Sequence, residues 1–484
     1  MGRGMMEWRR HASRPTTPGL PASGPSPAPD RQHTHEVHML MPYIPSVAPL
    51  TRMADGTVKQ INPFTGTEVW TVPGRAHRPL SVQTAAPQPL DPAAAGTYCA
   101  FCEKRYLDTP PEKARLVRDE AGTWDVLRAL NVEDLDRTVA EFRRIPNLFE
   151  ILSFDYWHAN YAHEVPERTA RFKERYLASE QGRAHVMKVV GQRLRAGGMS
   201  EAEWRAMPEL LRLRHATGFF GGGHDVIVAR RHFVDGATTD HQLASSGTLS
   251  VDEHRQYTMF TIDAMQRLYA DNRYARYVAV FQNWLKPAGA SFDHLHKQLV
   301  AIDERGVQAE LELQRLRANP NMYNELAVDH AGYQNLVVAE NEHAVAFAGF
   351  GHRYPTLEIY SRSAASLPWE QTPQEIADVA DLLHAMHAAT GAEIPCNEEW
   401  HHKPVDVDVP MPWRIMLKWR ISNLAGFEGG TKIYLNTLDP WTLRDKVVPR
   451  LYALRDDGLI DENIKIAEEC KCEPNSLKYN PIVR

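Results

Sequence analysis

The stretch FDHLHKQLV, residues 292–300, sets His294, His296 and Gln298 at alternate positions. On a strand, alternate side chains share one face, so this spacing predicts two imidazoles and a carboxamide in a row, with Leu295, Leu299 and Val300 packing around them. The chemistry such a row offers is nucleophilic: a neutral imidazole attacks phosphorus and forms a phosphoramidate, dividing one displacement into two easier steps. A glutamine beside it hydrogen-bonds phosphoryl oxygens but has no titratable proton to give. That pairing suits group transfer with an anionic leaving group better than hydrolysis. The same residues also fit a polar sheet face that happens to contain histidine.

Cys99 and Cys102 in TYCAFCEKRY form a C-x-x-C, a metal-ligand spacing that needs two further ligands from elsewhere in the chain. A thioredoxin-like redox pair competes with this reading. The pair follows a loop, however, and not the strand-to-helix junction of a βαβ unit, which favours zinc. Arg75 and Arg78 in GRAHRP offer two guanidinium groups for bidentate phosphate binding, or else a solvated basic loop.

The elements that must position these residues follow from pattern. TVKQINPFTGTEVWTVPGRAHRP, residues 57–79, alternates around a turn at residues 64–66 and reads as a strand pair. Residues 131–215 read as mostly helical, and the glycines of FFGGGHDVIVARRHF punctuate entry into a strand at 225–229. A helix over about 251–269 leads to the strand YARYVAVFQNW and then to the histidine row. After a charged helical linker the plan recurs: strands, a helix over about 373–389, and the strand PMPWRIMLKWRI. The expected fold is α+β, with two related halves.

The whole chain sets limits. Its 484 residues are enough for two or three domains, and 24% charged with 43% hydrophobic residues is ordinary globular composition. A net charge of −6 argues against a nucleic-acid or membrane-surface binder. The run RPTTPGLPASGPSPAPD marks the first 38 residues as a disordered tail that lacks a signal-peptide apolar core, and its histidines His33, His35 and His38 read as solvated. Five cysteines make no disulfide scaffold and point to a reducing, cytoplasmic compartment. Cys396 stands alone, and Cys470 and Cys472 read as exposed thiols.

Taken together, INPFTGTEVWTVPGRAHRP, CAFC followed by TPPE, HDVIVARRHF, FQNWLKPAGASFDHLHKQ, EEWHHKP and NLAGFEGGT occur in the order seen in the galactose-1-phosphate uridylyltransferase family, a branch of the histidine-triad superfamily. The chain resembles that family over about residues 57–445, and poorly over 150–215. The resemblance implies tandem histidine-triad-like halves, each an antiparallel sheet with packed helices: a tail at 1–50, an N-terminal half at 51–310, a C-terminal half at 311–455 and a C-terminal tail at 456–484.

It also implies roles. His296 matches the nucleophile that carries the nucleotidyl group, and Gln298 the glutamine that stabilises that intermediate. Cys99, Cys102, His232 and His294 match the ligands of a structural zinc. Arg75 and Arg78 look like phosphate-contacting arginines. Asn147, Asn283 and Ser291 match positions near the nucleotide, with a strand-end cap as the plainer role of the two asparagines. Glu428 falls where the family places a carboxylate on the sugar, and a salt bridge is its plainer reading.

Three departures bear on substrate. Met416 and Lys418 stand where well-known members hold a second metal with histidines, leaving His401 as the remaining candidate, so no second site is expected. Leu295 replaces the usual proline, and Phe427 a frequent tyrosine.

The expectation is a nucleotidyltransferase that moves UMP between sugar 1-phosphates through nucleotidyl-His296. Its partners would be a nucleotide sugar and a sugar 1-phosphate, with a homodimer as an allowed assembly. A phosphorylase of dinucleoside polyphosphates or ADP-sugars uses the same motif. A non-catalytic, zinc-stabilised binding module is the rival of another class.

Overall fold

Asn62 turns the chain at the N-P-F-T-G sequence: its Oδ1 accepts the N–H groups of Phe64 at 2.9 Å and Thr65 at 3.0 Å, and Gly66 takes the left-handed φ of +74° that closes the turn. The structure is a computed structural model that describes residues 48–74, 86–422 and 424–482. Arg75, Arg78 and the tail with His33, His35 and His38 lie outside the described residues. Strands β1 (Leu50–Arg52), β2 (Val58–Ile61) and β3 (Glu68–Thr71) form a small antiparallel sheet.

The remaining strands in chain order are β4 (Ala114–Arg118), β5 (Trp124–Arg128), β6 (Ala140–Pro146), β7 (His224–Ala229), β8 (Tyr277–Trp284), β9 (His296–Ile302), β10 (Val337–Glu340), β11 (Ala344–Ala348), β12 (Thr356–Ser361), β13 (Cys396–His401), β14 (Arg414–Trp419), β15 (Ile433–Leu435) and β16 (Lys465–Ile466). β15 adds to β3 in parallel. The other twelve make one antiparallel sheet in the order β16-β10-β11-β12-β14-β13-β8-β9-β7-β6-β4-β5.

That order contains the repeat. Outward from the centre, β8-β9-β7-β6-β4-β5 mirrors β13-β14-β12-β11-β10-β16, and in each half a long helix precedes the central strand: Val251–Asp271 before β8, Pro373–Thr390 before β13. Both helices open with a capping box, Ser250 with Glu253 and Thr372 with Glu375, which satisfies their first N–H groups. The two halves join edge to edge through β8 and β13, where Gln282 faces Glu398. Central strands thereby lose their exposed edges.

Both long helices cover one face of this joined sheet. Lys297 of β9 points to that face, with its ammonium over the Tyr257 ring and paired to Glu398 of β13 at 2.5 Å. Glu398 in turn accepts from His387 of the second helix at 2.7 Å. The opposite face carries His296 and Gln298.

One sequence expectation holds in outline and one changes. Residues 131–215 are mostly helical as expected, but β6 runs through them, in the middle of its half-sheet, after the short 3-10 helix Val132–Arg137 and before the α-helices that begin at Phe154. Its AEFRRIP sequence hides a buried strand because Arg143 and Arg144 are buried as ion pairs with Glu112 and Asp225. His294 also stands outside the strand that was to hold the row of three, since β9 begins at His296. At the other end of the chain, β16 pairs with β10, Tyr479 is buried, and Asn324 exchanges hydrogen bonds with the backbone of Leu477, so residues 457–482 are packed on the body.

Candidate active site

β9 places His296 and Gln298 two residues apart on the open face, beside Val226 of β7 and Phe281 of β8. They line a cavity of about 530 Å³ together with Asn147, Asn283 and Ser291. Five of the residues expected from the sequence are therefore gathered in one place. Glu428 is not among the lining residues. Its carboxylate accepts the N–H of Ala425 at 3.0 Å and closes the first turn of its own short helix, Gly426–Thr431.

The imidazole of His296 is held in one tautomer. Its Nδ1–H donates to the carbonyl of His294 at 2.7 Å, so in the neutral ring the lone pair sits on Nε2, the edge toward the cavity. Burial holds its pKa at about 4, well below the ordinary histidine value, so the ring is neutral near pH 7. Phe101 packs edge-on against the ring with centroids 5.2 Å apart. Phe101 also meets Phe292 at 4.6 Å. At the mouth Phe149, Ile151 and Phe292 are left in solvent, an apolar rim of the kind that a planar base covers.

Asn147 both caps the end of β6 and reaches the site. Its Oδ1 accepts the N–H of Phe149 at 2.9 Å, and its Nδ2 donates to Gln298 Oε1 at 3.2 Å. Asn283 accepts from Asn397 at 2.7 Å. His224, at the start of β7, lies 3.0 Å from Gln298 Oε1 and was not anticipated. Its sequence signal is the alternation of His224, Val226 and Val228 along HDVIVA, which puts it on the cavity face of that strand.

Next to the cavity, Cys99, Cys102, His232 and His294 bring four ligand atoms within 4.8 Å of one another. Their separations test the fit to zinc. Tetrahedral bonding at about 2.3 Å to sulfur and 2.0–2.1 Å to nitrogen puts sulfurs roughly 3.8 Å apart and sulfur roughly 3.5 Å from nitrogen. Here Cys99 and Cys102 sulfurs are 3.8 Å apart, and Cys99 to His294 Nδ1 and Cys102 to His232 Nδ1 are 3.4 and 3.5 Å. His294 Nε2–H donates to the carbonyl of Ala229 at 2.7 Å, leaving Nδ1 unprotonated toward the thiols. The hydrogen bond between the thiols holds Cys102 well below its ordinary pKa and pushes Cys99 up, as for a dithiol sharing one proton. The donor set fits a tetrahedral zinc ion.

In the C-terminal half the corresponding face is held by ion pairs. Lys418 pairs with Glu399 at 2.5 Å, buried Arg414 with Glu312 at 2.5 Å, and Met416 is buried. His401 Nε2 lies 3.8 Å from Glu399.

Two antiparallel half-sheets in mirrored order, with a histidine–glutamine pair on the central strand of one, give the chain the fold of galactose-1-phosphate uridylyltransferase-like, histidine-triad proteins. The chain belongs to the domain-of-unknown-function family DUF4921, whose profile matches residues 53–479. It is similar to ADP-glucose phosphorylase of Arabidopsis thaliana, 23% identical over 390 residues that cover 78% of this chain and 89% of that protein. It is also similar to galactose-1-phosphate uridylyltransferase of Thermotoga maritima, 25% identical over 227 residues, 42% of this chain and 69% of that one. The crystal structure of the Arabidopsis ADP-glucose phosphorylase with bound ADP-glucose shares the fold, with a TM-score of 0.53 at 19% identity over 81% of this chain and 98% of that one. Among the described residues no helix is long and apolar enough to cross a membrane.

Proposed function

We propose that this chain is a nucleotidyltransferase that works through a covalent nucleotidyl-His296. Nε2 attacks the α-phosphorus of a nucleoside diphosphate sugar, the bond from that phosphorus to the bridging oxygen breaks, and a sugar 1-phosphate leaves as an anion. A phosphate oxygen of the acceptor then attacks the same phosphorus and breaks the P–N bond. No proton moves to either leaving group, which accords with a glutamine at 298. The observation that carries the reading is the His296 Nδ1–H bond to the His294 carbonyl at 2.7 Å. It leaves Nε2 unprotonated toward the cavity, and it remains available to stabilise the cationic ring formed on attack.

With a sugar 1-phosphate as acceptor and UMP as the carried group, the chain is a uridylyltransferase. Arg75 and Arg78 would neutralise the phosphates, and Asn147, Asn283 and Ser291 would contact the nucleotide. A structural zinc held by Cys99, Cys102, His232 and His294 would brace the loop that carries Phe101. Five cysteines without a disulfide among the described residues support a reducing, cytoplasmic setting. The second reading, phosphorolysis of an ADP-sugar with phosphate as acceptor, is favoured by the relative that aligns over most of both chains.

The test is intact-protein mass spectrometry after mixing with UDP-glucose, with ADP-glucose and with diadenosine tetraphosphate. One nucleoside monophosphate on His296 is the expected outcome, its base identifies the donor, and chase with phosphate or with sugar 1-phosphates identifies the acceptor. Absence of an adduct with every donor, in folded and zinc-loaded protein, would favour the non-catalytic binding module.

A further inference from the structure

We propose that His224, which touches no reacting atom, is a positioning residue that locks the carboxamide of Gln298 with its N–H₂ end toward the cavity. Gln298 then only donates to a phosphoryl group. The inference deepens the nucleotidyl-transfer reading and rests on it.

A carboxamide has two ends of nearly equal size and opposite hydrogen-bonding sense, so its direction must come from its neighbours. Two backbone N–H groups, which cannot turn round, supply it here. Phe149 donates to Asn147 Oδ1 at 2.9 Å, so Asn147 presents its N–H₂ to Gln298, 3.2 Å from Oε1. Ile151 donates to His224 Nδ1 at 3.2 Å, so in the neutral ring the hydrogen is on Nε2, which lies 3.0 Å from the same Oε1. Burial holds His224 below the ordinary histidine pKa, which keeps the ring neutral.

His224 Nε2 and Asn147 Nδ2 are 3.0 Å apart, and both are donors, so they converge on the oxygen of Gln298 rather than bonding to each other. A reversed Gln298 would set its N–H₂ against two donors and leave all of them without an acceptor. Among the described residues the amide nitrogen of Gln298 has no protein partner, so it is the end left for a ligand.

The same logic operates at Asn283 from the other half of the molecule. Asn397 donates from Nδ2 to the carbonyl of Ala288 at 2.8 Å, which fixes its own direction, and from the same nitrogen to Asn283 Oδ1 at 2.7 Å. Arg420 donates to Asn397 Oδ1 at 2.6 Å. Asn283, like Gln298, has its oxygen occupied and its N–H₂ left over. Amides that expose only donors match the equatorial oxygens of a phosphoryl group in flight and gain nothing from a cation.

The test compares single-turnover nucleotidylation of His296, from UDP-glucose and from ADP-glucose, in the wild type, His224→Phe, Gln298→Ala and the double variant. Each single change is expected to slow the step about 100-fold, the scale of removing one oriented donor from a reacting oxygen. The double variant is expected to be no slower than Gln298→Ala, because the lock acts only through that side chain. His224→Gln, whose amide donates from near the place of Nε2, is expected to recover most of the rate. Losses that multiply in the double variant overturn the proposal.

If the wild type forms no adduct with either donor, the nucleotidyl-transfer reading fails. The lock is then decided by the ¹⁵N chemical shifts of the His224 ring in the intact wild-type chain. The Nε2–H tautomer is the expected result, and the Nδ1–H tautomer overturns it. That measurement also decides the matter if His224→Phe does not fold.

Discussion

The backbone carbonyl of His294 accepts the Nδ1–H of His296 at 2.7 Å, while the side chain of His294 belongs to the thiol-lined cluster 3.4 Å from Cys99. One residue thus ties the orientation of the proposed nucleophile to the geometry of the metal site. His296→Ala is expected to abolish the covalent adduct and turnover without altering the fold, since the ring packs at the cavity wall and not in the main core. His296→Gly leaves a gap in which added imidazole restores part of the first half-reaction. Near-normal turnover by His296→Ala ends the covalent reading.

Gln298→His is expected to raise the ratio of hydrolysis to transfer. A titratable ring beside the phosphorus helps activate water or protonate a leaving group, which a glutamine cannot do. The ratio is read by chasing labelled intermediate with water alone or with acceptor. An unchanged ratio and an equally long-lived intermediate show that the glutamine does not set the outcome.

Purified protein is expected to carry about one zinc per chain, and Cys99→Ser to lose it. Chelation should lower the melting temperature more than it alters the chemical step, because the ligands brace the turn that carries Phe101 rather than touch substrate. Elemental analysis alongside thermal melts checks both halves of the statement. Full stability in metal-free protein refutes the site.

Lys297 and Glu398 are both fully buried and 2.5 Å apart, linking β9 of one half to β13 of the other. Lys297→Met leaves the Glu398 carboxylate buried opposite an apolar chain, with His387 and Trp400 as its remaining donors. The expected loss is about 3–5 kcal/mol, and pairing it with Glu398→Gln should recover a large part. Urea unfolding of the single and double variants measures this, and a loss near zero for Lys297→Met shows that the pair does not clamp the halves.

Glu150 lies against the glycine-rich approach to β7: a Cβ added at Gly222 would stand 2.0 Å from its Oε1. Burial raises its pKa from 4.5 to about 7, and Oε1 has no partner. Between those values the folded chain holds a proton that the unfolded chain releases. Stability from this group is therefore complete below about 4.5 and is lost as pH rises through about 7. Glu150→Gln is expected to raise the melting temperature at about pH 8 and to leave it unchanged at about pH 4. An equal shift at both pH values rules the ionisation out as the cause.

Much of the site was legible because its residues are chemically specific and spaced by local geometry. The alternation of His296 and Gln298 survives any packing that makes the segment a strand, and the C-x-x-C turn brings its own two sulfurs together. The turn at Asn62 and the two long capped helices are likewise local, decided by side chains that satisfy nearby backbone groups. Strand β6 was not legible, because Arg143 and Arg144 read as surface charge until Glu112 and Asp225, distant in sequence, are placed beside them.

His224 and Phe101 were missed for a related reason. Both lie inside stretches quoted for other residues, CAFC and HDVIVARRHF, and what they do depends on which atoms of Gln298 and His296 face them. From the sequence alone came the residue types, their strand or turn periodicity, and hence the class of chemistry. Only the tertiary structure decided that two half-sheets join at β8 and β13, that Glu428 turns to its own helix, and which end of each carboxamide faces the cavity. Glu428 aside, whose partner is three residues away, those outcomes depend on donors and acceptors 74 to 151 residues apart, and burial then makes every mismatch between them costly.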